Sequence, residues 1–439
     1  MEKIQTYSQK FTLFCAFATC FCFAHSNLMT ITMVTWLIAW FIEITLNWNN
    51  VKFDTPNKNN IPLYLTLALF LWMVISLLWT ENFQRAMRLF EMRIPLLIFP
   101  LFALFGMREG KTHFRKLLFA FAIGAIIYSI IITIQAYCAT GEQIKIDPEH
   151  ANDYFVTQFN GIKHRTQVGL LQLVSLCIIH YLKPQIVKMF KGRNIFYYLL
   201  LYTCFSIVVF ILYITEGRNM LGMSLFLIML MTLKFLWRNN YKLVSIAFVP
   251  IILIGGFIIF KNHPRMQNDF SFRKEELQKF DPRYEQWRCA YHCIKADSHN
   301  MLIGEGIGDY TDVFNDMHNS PEFKEYYYNV DNAHNIWLDG QMEYGLVGNI
   351  LLLCIFISNI LFIKSKQAKF TLYTITIIWL AFSFTEPLLI RSTPINLFCL
   401  FLIFSYQIKK EETPNKLSSE ILIDHDDYRK FTQKNTQNR

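Results

Sequence analysis

Apolar residues along this chain come in long blocks separated by short polar stretches, near residues 11–27, 30–46, 62–79, 94–106, 117–137, 166–182, 195–214, 219–236, 243–260, 345–363, 370–386 and 391–407. Most blocks approach the roughly 20 residues that a helix needs to cross a bilayer, so the pattern predicts an all-α polytopic membrane protein with about 12 transmembrane helices. The block at 94–106 is short and interrupted by Pro95 and Pro100. Residues 1–10, with Lys3 and Lys10 before an apolar run, resemble a secretory signal, but no small-residue cleavage site follows and another span comes at once. An uncleaved first helix is therefore expected. The expected organisation is spans one to nine in 1–260, a long polar loop at 261–344, spans ten to twelve in 345–407, and a polar, aperiodic, mobile tail at 408–439.

Charge orients this pattern. Hydrophobic residues make up 53% of the 439 positions, phenylalanine alone occurs 41 times, and the formal net charge is +9. Lys and Arg concentrate in 107–116, 183–194, 234–242 and 364–369, which share one face in a twelve-span arrangement. The positive-inside rule makes that face cytoplasmic and places both termini inside. The net charge is then a topological bias and not a nucleic-acid footprint. The loops 80–93, 138–165, 215–218 and 387–390 open on the opposite face together with the long loop. Within that loop, Tyr284, Trp287, Tyr291 and Ile294 have the spacing of an amphipathic helix.

Candidate chemistry clusters on the outer face. In the stretch from His334 to Gly348, helical spacing would put His334, Leu338, Gln341, Gly345 and Gly348 on one stripe, with Asp331 or Asn332 capping the helix start. A histidine in that first turn is favoured as neutral imidazole, a proton acceptor, although a lone histidine there is more often structural. Arg218 lies at the hinge between two spans, near a helix N-terminus that favours anions, or else it pairs with Glu216. Arg85, Arg88 and Arg93 lie on an amphipathic segment, where interfacial anchoring is the plain alternative, and Lys163, His164 and Arg165 form a further basic cluster. Guanidinium forks match phosphate oxygens, and a histidine can take a proton from an acceptor hydroxyl; together they suit displacement of a lipid pyrophosphate from carbon.

Other chemistries have less support. The turn Gly304-Glu305-Gly306-Ile307-Gly308-Asp309 lacks the strand–turn–helix setting and the lysine of a nucleotide loop. Cys289 and Cys293, spaced by four on a predicted helix, suit neither a disulfide nor, alone, a zinc site. With no His-Glu-x-x-His pair and no Asp-x-Asp cluster, the expectation is chemistry without metal, cofactor or nucleotide.

His334-Asn335, nine residues, Gly345, two residues and Gly348 form a pattern that resembles the signature of the O-antigen ligases. Arg283-x-x-x-Trp287 followed by Gly304-x-Gly306-x-Gly308, and Arg218 at a span start, are similar to other recurrent features of that family, and the resemblance covers about residues 60–405. It implies a bacterial inner-membrane glycosyltransferase that moves a glycan from undecaprenyl pyrophosphate to lipid A–core at the periplasmic face, with inversion and without metal. It also implies His334 as the acceptor-activating base and Arg218 and Arg283 as donor contacts. A further arginine between spans three and four, one of Arg85, Arg88 and Arg93, fits this role. Asn335, Gly345 and Gly348 are expected to support the motif. An O-antigen polymerase, whose arginine, ten residues, glycine motif is absent here, a protein O-oligosaccharyltransferase and a transporter are the alternatives. The loop is expected to act as a lid whose aromatics Trp287, Tyr291, Phe314, Phe323 and Tyr326 to Tyr328 pack on the membrane face and stack on sugars.

Overall fold

A computed structural model of the chain describes residues 2–48, 53–105, 111–146, 151–241, 282–296, 301–323 and 332–412, with isolated positions between 244 and 261. Tyr326 to Tyr328, Asp331, most of the block at 243–260 and the tail beyond 412 lie outside the described residues. The helices of the first half are α1 (Glu2–Cys22), α2 (Ser26–Leu46), α3 (Ile61–Ile75), α4 (Phe83–Arg93), α5 (Pro95–Leu104), α6 (Lys111–Ile146) and α7 (Ala151–Ile162). There follow α8 (Arg165–Tyr181), α9 (Lys183–Met189), α10 (Asn194–Ile214) and α11 (Arg218–Arg238). Those around and beyond the long polar segment are α12 (Pro282–Ala296), α13 (Tyr310–His318), α14 (Ile336–Ile360), α15 (Lys366–Ser383) and α16 (Ser392–Glu412). No strand occurs among the described residues.

Apart from 243–260, every predicted block falls on a helix, but length and composition divide them. Among the described residues, six helices are long and apolar enough to cross a membrane, or seven if α8 and α9, bent by 65° at Leu182, count as one span. At ten residues, α5 is about 15 Å long, half the thickness of a hydrocarbon core. In contrast, α6 has 36 residues and runs about 54 Å, so the predicted block at 117–137 is only its middle. The end of α6 and α7 occupy much of what the sequence pattern reads as the loop 138–165, and Phe155 and Phe159 of α7 are buried against Ile132, Ala136, Val168 and Ile211.

A single apolar cluster runs through most of the helices. Helix α8 is its axis: Leu170, Leu171, Leu173, Leu176 and Ile179 are all buried, and α6, α10, α11 and α15 pack around it. Phe14, Ile31, Phe41, Leu199 and Phe210 point outward and exposed, as a lipid-facing surface requires. The ends of α8, α10, α11 and α15 nearest residues 164, 215, 218 and 386 carry a polar region, which Arg283 at the start of α12 and His334 before α14 reach, while α13 packs on α12 and α14.

Candidate active site

A broken helix builds this region. Helix α14 is interrupted at Gly345, whose φ of 65° and ψ of −166° lie outside helical space. A break frees backbone groups that must find partners elsewhere. The glycine-rich turn supplies them. Glu305 N–H donates to the Met342 carbonyl at 2.7 Å and Gly306 N–H to that of Glu343 at 3.0 Å, while Leu346 N–H donates to the Met301 carbonyl at 3.0 Å. The Trp72 indole N–H donates to the Tyr344 carbonyl at 2.9 Å. Gly304 and Gly345 are needed because the two backbones touch: both have positive φ, and a Cβ on either would overlap the other strand of the junction. The expected stripe from His334 to Gly348 therefore does not exist as one helical face. Gly345 is where the helix breaks, and Gly348 makes room for the Tyr344 ring.

The start of α14 also differs from expectation. Asn335 is the N-cap, its side chain accepting from Trp337 and Leu338 N–H, so His334 precedes the helix and does not occupy its first turn. Its backbone is left-handed, at φ 50°, a conformation that is uncommon outside glycine and that surrounding contacts must hold. They are local: His334 N–H donates to Asn332 Oδ1 at 2.9 Å, Ala333 N–H to Asp339 Oδ1 at 2.7 Å, and Trp337 Nε1 to Ser383 Oγ at 3.0 Å. The last bond ties the histidine turn to the end of α15.

Three residues beyond that end, Glu386 faces His334. His334 Nδ1 is buried, makes no hydrogen bond, and lies 3.9 Å from Glu386 Oε2. Arg283 Nη2, from the first turn of α12, donates to Glu386 Oε1 at 3.2 Å. Burial alone would raise the Glu386 carboxyl, but His334 beside it, with His164 and Arg283, outweighs burial and holds it below its usual range. His164, the N-cap of α8, has its own pKa pushed down to about 4 by burial; Glu386 opposes the shift and Arg391 and Arg165 add to it. Next to it, Arg165 Nη1 donates to the Thr215 carbonyl at 3.1 Å and lies 3.9 Å from Glu216 Oε2. Glu216, at φ 55°, is buried and also accepts from Asn152. Arg218 follows as the half-buried first residue of α11, with Gly217 as its cap. Exposed Arg391 and buried Lys163, which donates to Thr393 Oγ1 at 3.2 Å, extend the rim.

Residues 203–353 match the sequence model of the O-antigen ligase family. This segment, about a third of the chain, is thus similar to the O-antigen ligases. No curated protein matches it. The matched part runs from α10 into the second half of α14, and so takes in Arg218, Arg283, the glycine-rich turn, His334, Asn335, Gly345 and Gly348.

The arginines expected on the outer face divide sharply. Arg283 joins His334 through Glu386, and the Arg218 backbone N–H donates to the Glu216 carbonyl at 3.0 Å. Arg93 is fully buried and grips Glu343 with both terminal nitrogens and the Leu389 carbonyl with Nε, at 2.8 Å, which makes it a brace for the broken helix. Arg85 pairs with Asp312. Arg88 is exposed on α4, and among the described residues no contact joins it to His334 or Glu386. The amphipathic helix forms at 282–296, but its buried face is Glu285, Gln286, Cys289, Ala290 and Cys293, while Tyr284 and Tyr291 point outward. Phe314 and Phe323 are buried instead of lying on a surface. Cys289 and Cys293 are free thiols.

Sequence reasoning missed Glu386 and Arg391. Both lie within or beside the short loop at 387–390, and a carboxylate at the end of a span is costly unless it is partnered. That cost was the available signal.

Proposed function

We propose that this chain is an O-antigen ligase that transfers a glycan from undecaprenyl pyrophosphate to lipid A–core oligosaccharide, with inversion and without a metal. The observation that supports it most is the placing of His334 against Glu386, with Arg283 on the same carboxylate and Arg165 and Arg391 near His164 beside it. In this reading the Nδ1 proton of His334 points at Glu386, and the Nε2 lone pair accepts the proton of the acceptor hydroxyl. The contact of 3.9 Å tightens when substrate arrives. The acceptor oxygen forms a bond to the anomeric carbon as the bond from that carbon to the pyrophosphate oxygen breaks. Undecaprenyl pyrophosphate leaves with the electron pair, and Arg218, Arg283 and Arg88 stabilise its charge.

The same reading places the polar region at the periplasmic face of a bacterial inner membrane. Twelve spans, nine of them in 1–260 and three in 345–407, flank a periplasmic segment at 261–344, and residues 408–439 lie in the cytoplasm. The decisive assay incubates purified protein with undecaprenyl-pyrophosphate glycan and rough lipopolysaccharide, with chelator and without nucleotide. Glycan attached to lipid A–core is the expected product. Glycan lengthened on undecaprenyl pyrophosphate would replace ligase with polymerase, and no transfer under chelator would remove the metal-independent mechanism.

A further inference from the structure

The opposite end of the helix bundle carries a second cluster that the transfer reaction does not use. His180, at the end of α8, meets Tyr197 Oη through Nδ1 at 2.8 Å and Lys234 Nζ through Nε2 at 3.4 Å. Lys183 Nζ, just past the bend at Leu182, donates to Tyr198 Oη at 2.8 Å and lies 4.9 and 4.6 Å from the centroids of the Tyr197 and Tyr198 rings. Lys234 Nζ lies 3.6 Å from the Phe370 centroid. Two ammonium groups thus converge on one histidine within an aromatic frame. Hydroxyls and ring faces ease their desolvation but bring no negative charge.

The sequence supplies no counter-ion on these helices. Between Asp153 and Glu216, between Glu216 and Asp269, and between Glu343 and Glu386 there is no Asp or Glu, so α8, α9, α10, α11 and α15 reach this end without a carboxylate. Arg238, in the last turn of α11 beside Lys234, adds to the positive charge. Seventeen residues of α8, about 25 Å, separate the cluster from His164. Because the cluster is remote from the polar region around His334, its role stands or falls independently of the proposed transfer.

We infer that Lys183 and Lys234 hold a phosphate group, with Tyr198 and His180 orienting the two ammoniums. Phosphate oxygens would accept from both lysines and supply the missing negative charge, and basic sites between helices at the cytoplasmic face suit anionic lipid headgroups. A lipid headgroup and soluble phosphate share this chemistry, and the test separates them. Full-length protein would be placed in phosphatidylglycerol or phosphatidylcholine nanodiscs, and separately in detergent with inorganic phosphate, with thermal stability and retained lipid measured. Preferential retention of phosphatidylglycerol is expected, falling by roughly fivefold for Lys183→Gln or Lys234→Gln alone and further for the pair. Exposed Lys188→Gln, at the same end but outside the cluster, should keep the wild-type preference. Protection by inorganic phosphate without lipid preference, lost in the same variants, would keep the site and make its ligand soluble. Wild-type behaviour in the double variant, or an equal loss in Lys188→Gln, would overturn the proposal.

Discussion

Glu386 is a carboxylate shared between a histidine and an arginine just beyond the end of α15, and its environment fixes how it should respond to change. His334 and the nearby cations hold it ionised below its ordinary range in spite of burial. The stabilisation contributed by a depressed carboxyl is fully present above its unfolded value, near 4.5, and is lost as pH falls through the lower folded value. In Glu386→Gln the acid limb of a thermal-stability profile below that value should be shallower than in the wild type. The same variant should slow transfer by one to two orders of magnitude with little change in donor affinity, because the amide keeps the shape but not the charge that steadies the histidine. Unchanged turnover would leave Glu386 as a mere packing partner. His334 and Asn335 are legible in the sequence through the pattern they form with Gly345 and Gly348, although the helix start falls at Asn335 and not at Asp331 or Asn332. Glu386 is not, since its meaning comes from a neighbour 52 positions away, across two helices, and no spacing rule connects them.

At the scale of elements, the break at Gly345 organises everything around His334. It turns α14 into two pieces, lets the 301–306 turn bond between them, and buries Glu343, which Arg93 neutralises. Removing one partner of such a pair strands the other charge in the interior, so Arg93→Met should cost about 3–5 kcal/mol in stability. The double variant Arg93→Met, Glu343→Met should recover much of that loss in a denaturation cycle. Arg88→Ala, on the exposed face of the same helix, should leave stability unchanged and raise the donor requirement. If Arg93→Met instead folded normally and lost only donor binding, Arg93 and not Arg88 would be the pyrophosphate contact. Periodicity in the sequence shows that α12 and α14 exist, but it misassigns their faces. A glycine in a helical pattern reads equally as close packing or as a break, and only the partner loop decides. In α12 Tyr284 and Tyr291 point outward while Trp287 and Ile294 pack against the core, because the helix buries its small and polar face at Glu285, Cys289 and Cys293.

For the whole molecule, hydropathy locates nearly all the helices while leaving the number of spans open, since α5 is too short and α1, α15 and α16 carry polar ends. In the proposed topology, charge bias orients the array. Single cysteines at Asn315 should be labelled by a membrane-impermeant thiol reagent from outside intact cells with a permeabilised outer membrane, and those at Lys188, Arg238 and Lys366 only after the inner membrane is opened. Labelling of Asn315 only from the cytoplasmic side would remove the mechanism, because the finished glycan would not be presented there.

The account rests on His334 as the base in a metal-free glycosyl transfer. The most direct test is single-turnover transfer from undecaprenyl-pyrophosphate glycan to lipid A–core by wild type and His334→Ala, with donor binding measured on the same preparations. Loss of the base should lower the transfer rate by about 10²–10⁴-fold while donor affinity stays close to that of the wild type. Wild-type transfer by His334→Ala would contradict the account.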